Sequence, residues 1–129
     1  MDLCNIDQLE KILSNFAEND ERISGTFQNY DSLDDLIDPL YYYMQYIKFG
    51  FGRALRDASR LIRNGHLDRE KGLKYVKEYD GEFPEKNFQE VLEYLNLDNA
   101  NFHEIIDKHR NSEIWEKTGN NFKLKINIK

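Results

Sequence analysis

Apolar residues recur along most of this chain at spacings of three and four, the pattern of helices with one buried face. The first run, Ile6, Leu9, Ile12, Leu13 and Phe16, predicts an N-terminal helix with Asn5 or Asp7 as its cap. Residues 15–30 then turn polar around Gly25 and read as a linker. Asp38-Pro39 looks like an N-cap followed by proline at the first helical position, and predicts a helix over 40–49. Tyr41, Tyr42, Tyr43, Tyr46 and Phe49 surround that helix on several sides, so it is expected to be central and largely buried. Gly50 and Gly52 end it, and a second helix follows over 53–63, stopped by Asn64-Gly65.

Asp68 caps a third helix over 69–79, with Leu73, Val76 and Tyr79 apolar and Asp80-Gly81 as its stop. Phe83-Pro84 begins a fourth, through Phe88, Val91, Leu92 and Leu95, and Asp98 caps a fifth, through Phe102, Ile105 and Ile106 to Arg110. The period then changes. Phe122, Leu124, Ile126 and Ile128 alternate with Lys123, Lys125, Asn127 and Lys129, which predicts a half-buried strand that Gly119-Asn120-Asn121 turns back on residues 114–118. The pattern therefore gives a mainly α fold. It is a compact bundle of about five helices with a small C-terminal β-hairpin over 36–129, preceded by an acidic helix and linker over 1–35.

At 129 residues the chain is long enough for a core of ordinary size. The apolar run from Leu40 is interrupted by Gln45, Lys48 and Gly50, too short for a membrane span, and the N-terminus lacks the basic-then-apolar order of a signal peptide. A single cysteine, Cys4, excludes an internal disulfide, and a cytoplasmic location is expected. The net charge of −6 conceals a division. Residues 1–39 carry ten acids against two bases, net −8, whereas residues 48–71 carry seven bases against three acids, net +4. An acidic whole argues against nucleic acid as a partner, but the basic stretch can still hold a small phosphorylated ligand.

That stretch changes the picture most. Arg53, Arg56, Arg60 and Arg63 fall within about 80° of one another on a helical wheel, opposite Ala54, Leu55, Ala58, Leu61 and Ile62. A positive ridge on an acidic chain calls for an anion or for the protein's own carboxylates, and Asp57 is placed to pair with Arg53 or Arg60. Gly50 and Gly52 permit close backbone approach at a helix start, where an anion is favoured. Lys48, Gly50, Gly52, Arg53 and Arg56 are thus the candidate phosphate- or substrate-binding residues. Taken alone, the glycines describe a helix break or close-packing point better than a ligand cradle, since neither a third glycine nor a Lys-Ser/Thr pair follows.

Other chemistry is sparse. His66, His103 and His109 are dispersed, and one histidine with Asp107 makes a poor metal site, so no metal is expected. Cys4 has no neighbouring base, and no Ser-His-Asp order stands out, so no catalytic residue is assigned.

The ordered motifs Tyr46-Ile-Lys-Phe-Gly-Phe-Gly-Arg-Ala54, Asp57-Ala58-Ser59, Ile62-Arg-Asn-Gly-His66, Arg69-Glu70, Val76-Lys77 and Tyr79-Asp-Gly-Glu-Phe-Pro84 resemble the C-terminal region of the N-acetyl sugar amidotransferases of lipopolysaccharide and O-antigen biosynthesis. The similarity runs from residue 36 to the end of the sequence and is densest over 46–84. The resemblance implies an ATP-dependent conversion of a sugar acetamido group to an acetamidino group. In the family an ATP-pyrophosphatase domain adenylates the acyl oxygen, and ammonia comes from a glutaminase partner working with a cyclase-like subunit. These 129 residues contain no Ser-Gly-Gly-x-Asp-Ser loop for the ATP pyrophosphate, and Leu55 stands where a small polar residue is expected. The resemblance therefore implies a domain that holds no cofactor alone and is completed in cis or in trans, with a nucleotide sugar as its possible ligand. The alternative is a non-catalytic interaction module that docks through the arginine ridge.

Overall fold

The computed structural model describes residues 22–29, 31–32 and 34–126. The N-terminal helix expected over 6–16 and the end of the final strand at Ile128 lie outside these residues. The described residues form five helices and one antiparallel hairpin: α1 Asp38–Phe49, α2 Arg53–Arg63, α3 Arg69–Tyr79, α4 Phe88–Tyr94, α5 Asn99–His109, β1 Trp115–Thr118 and β2 Asn121–Leu124.

The capping chemistry explains most boundaries. Asp68 accepts the Lys71 N–H at 2.8 Å and starts α3, and Asp98 accepts the Asn101 N–H at 2.7 Å and starts α5. α2 closes with paired bonds, His66 N–H to the Leu61 carbonyl and Gly65 N–H to that of Ile62, with Gly65 at φ 77°. α1 begins two residues before the helix over 40–49 that its sequence predicts. Asp38 lies in its first turn, and the preceding turn is held by Asp35, whose side chain accepts the Ile37 N–H. α4 is shorter than expected and starts at Phe88, not at Phe83-Pro84, because Asn87 takes φ 61° and interrupts the turn before it.

One core joins α1, α4, α5 and the hairpin through Leu40, Ile47, Phe88, Val91, Leu92, Phe102, Ile106 and Trp115. Trp115 is seated by its indole N–H, which donates to the Ile47 carbonyl at 2.6 Å, and by Tyr46, which meets it edge-on. In the hairpin Trp115 pairs with Leu124 and Thr118 with Asn121, and the Arg110 guanidinium lies over Phe122. α2 and α3 form a separate helical pair, packed so closely that a Cβ on Gly72 would come within 2.6 Å of Ile62. Not all the α1 aromatics face inward: Leu40, Tyr42 and Ile47 are buried, whereas Tyr41 and Phe49 are exposed. Ile126, expected to be half-buried in the strand, is exposed beyond β2.

Residues 22–29 and 31–32 cross the α2–α3 pair as a strap. Phe27 stacks on Tyr75 with ring centroids 4.6 Å apart, and Arg22 lies over Tyr79 while pairing two-pronged with Glu82, both bonds 2.7 Å. Gly25 donates its N–H to the same carboxylate at 3.0 Å.

Candidate functional site

The junction between α1 and α2 is built by two glycines with different tasks. Gly50 takes φ 77° to close α1, and a Cβ there would strike Ile114 at 2.8 Å. Gly52 is extended and leaves the first N–H groups of α2 open. An anion does sit at that helix start, and it is the chain's own. Asp80, just beyond α3, accepts from Gly52 N–H at 2.9 Å and from Leu55 N–H at 3.3 Å, with Ala54 N–H also directed at it. A Cβ on Gly52 would lie 2.7 Å from Asp80 Oδ1, so only glycine lets the carboxylate approach this closely. Burial raises the Asp80 carboxyl above its ordinary pKa, outweighing the bonds from Gly52, Leu55 and Ala54.

Arg53 opens α2 but turns back into the protein. Its Nε donates to both oxygens of Asp57, at 3.1 and 2.9 Å; one terminal nitrogen reaches the Tyr42 hydroxyl at 3.3 Å, and the other binds Asp31. Asp57 is fully buried and also accepts from the Thr26 hydroxyl at 2.9 Å and from Arg60 at 3.4 Å. The sequence offers Arg53 or Arg60 as the partner of Asp57, and both pairs form. Tyr42, whose hydroxyl also bonds Ser32, has a phenol pKa pushed up mainly by burial. At the strap, Glu82 is raised by its own burial but held below its ordinary pKa by the hydrogen bonds from Arg22 and Gly25 and by the charge of Arg22.

The candidate residues are thus distributed. Gly50, Gly52 and Arg53 meet at the junction; Arg56 and Arg63 are exposed on α2 with no ion pair among the described residues, and Arg60 is half-exposed. Lys48 is about 120° round α1 from Tyr42 and faces elsewhere, into a groove between α1 and α5 lined with Tyr41, Met44, Gln45, Ile47, Phe49, Ile106 and His109. Sequence reasoning missed Asp80, read as a helix stop, and Tyr42, Thr26 and Asp31 as the shell around Arg53 and Asp57. Their partners are distant along the chain, and no local spacing signals them. Among the described residues no cluster of three or more His, Cys, Asp or Glu is arranged to hold a metal, and no helix is long and apolar enough to cross a membrane.

The motifs at this junction lie inside the region matched by a family model. The model, described as LPS biosynthesis protein WbpG-like, C-terminal domain, matches residues 24–129. The chain belongs to this family. No curated protein matches it. The WbpG-like match starts within the strap, so Gly25, Thr26 and Asp31 fall inside the domain together with the arginine and the carboxylates they contact. The WbpG-like domain is thereby assigned to lipopolysaccharide biosynthesis, and its fold is a helical bundle with a terminal hairpin.

Proposed function

We propose that this WbpG-like domain is the helical C-terminal domain of an N-acetyl sugar amidotransferase acting on a nucleotide-linked sugar in O-antigen synthesis. An ATP-pyrophosphatase domain, in cis or in trans, adenylates the acetamido oxygen, and a glutaminase with its cyclase-like subunit delivers the ammonia that gives the acetamidino product. The domain's own share is binding. The junction offers ATP no phosphate cradle, because Asp80 holds the N–H groups of α2 and Arg53 is held by Asp31, Asp57 and Tyr42. Gly50, Gly52 and Arg53 serve as the frame; the exposed Arg56 reaches out to a phosphate held by the adjoining domain, and the exposed Lys48, on another face, contacts a phosphate of the nucleotide. The reading is supported above all by the exposure of Arg56, one turn into a helix whose start is fixed on both sides.

The test is steady-state kinetics of the assembled amidotransferase. Arg56→Ala and Lys48→Ala are each expected to raise KM for the nucleotide sugar or ATP about tenfold, the loss of one charge-assisted contact of about 1.4 kcal/mol. Unchanged KM and kcat in both variants refute the binding role. The exposed Arg56 and Arg63 also support the alternative, docking of the ridge on an acidic protein surface. In that case Arg56→Ala/Arg63→Ala abolishes salt-sensitive co-purification with the partner and leaves KM unaltered.

A further inference from the structure

The groove between α1 and α5 has a volume of about 460 Å³, within the range of small-molecule sites, and its walls are mainly apolar. Tyr41, Met44 and Phe49 are large side chains that α1 leaves exposed on this face, 59%, 41% and 50% accessible. Three polar groups interrupt the walls: Gln45, Lys48 and His109. Gln45 is unusual. Its Oε1 is shut off from solvent and accepts no hydrogen bond, which leaves a buried carbonyl without a donor. The last torsion of a glutamine is soft, so a ligand in the groove can turn that oxygen towards its own N–H. Lys48 holds its ammonium 5.4 Å from the Phe49 ring centroid and forms no ion pair among the described residues.

These features specify a ligand with flat apolar faces, an N–H at one edge and an anionic end. We propose that the groove binds the base and first phosphate of a nucleotide. The base lies against Tyr41 and Met44, an amino or imide N–H donates to Gln45 Oε1, and the phosphate pairs with Lys48. From Tyr41 to Lys48 the helix rises about 10 Å, a distance suited to a base at one end and a phosphate at the other. The inference rests on Lys48 as a phosphate contact, as read above, and adds the base. An adenine and a uracil nucleotide share the required chemistry.

The test is an NMR titration of the full 129-residue chain with ADP, UDP and inorganic pyrophosphate. ADP or UDP is expected to shift amide signals of residues 41–49 and 106–109, and Gln45→Leu to weaken that nucleotide about tenfold without lowering the melting temperature. Lys48→Gln should weaken nucleotide and pyrophosphate alike. Whichever of ADP and UDP binds tighter identifies the source. If pyrophosphate matches both nucleotides and Gln45→Leu changes nothing, the base site is refuted while the phosphate role of Lys48 stands. If no nucleotide moves the groove signals, or they move only with protein concentration, the face is not a nucleotide site. The Arg56 kinetics are independent of either result.

Discussion

Asp57 has no exposed surface, and a carboxylate in that position stays charged only if donors surround it. Thr26, Arg53 and Arg60 are those donors. Arg53→Met keeps the bulk of the stem but strands the carboxylate, and should cost about 3–5 kcal/mol, read as a lower urea midpoint at constant slope. Adding Asp57→Asn should restore part of that loss, because the stranded charge is gone. A midpoint that does not move would show that the network is not what holds the strap. Two links of this cluster are legible in the sequence, the i, i+4 spacing of Arg53 and Asp57 and the i, i+3 spacing of Asp57 and Arg60. Thr26 lies 31 residues from Asp57 and Asp31 lies 22 from Arg53, separations that no helical wheel connects. For the same reason the wheel finds the ridge of four arginines but not that the first of them turns inward.

Helix identity is legible at the scale of elements because caps and stops are local: Asp68, Asp98 and Asn64-Gly65 each stand where the sequence places them. The two misplaced starts, at α1 and α4, depend on neighbours. Phe83 stays outside α4 with its ring edge-on to both Tyr43 and Phe88, a tertiary contact that outweighs the proline signal beside it. Two glycines test how elements meet. At Gly81, φ is 81° and a Cβ would fall 2.3 Å from a ring carbon of Tyr46, itself packed on Trp115. Gly81→Ala should therefore cost about 2–4 kcal/mol from backbone strain and overpacking together. Gly72 has no such backbone constraint, and its added Cβ would meet the mobile end of Ile62. Gly72→Ala gains about 1 kcal/mol of helix propensity against that contact, so its melting temperature should stay close to the parent's. Thermal unfolding of the two variants decides the ordering.

For the molecule as a whole, the contacts of Arg22, Thr26 and Asp31 make the strap part of the folded unit, in step with a family match that starts at residue 24. A chain beginning at residue 22 should keep the parent's stability in these contacts. One beginning at residue 36 loses Arg22, Thr26 and Asp31 together, one partner each of Glu82, Asp57 and Arg53, and should be cut by protease within the α2–α3 pair under conditions where the longer chain resists. Equal resistance would show the strap to be dispensable. The strap also has a consequence for the order of events during synthesis. Arg22 leaves the ribosome 60 residues ahead of Glu82, its partner. At about 5–20 residues per second that is a wait of about 3–12 s, during which Arg22 is without its carboxylate while Thr26 comes to have its carboxylate, and Asp31 its arginine, within reach.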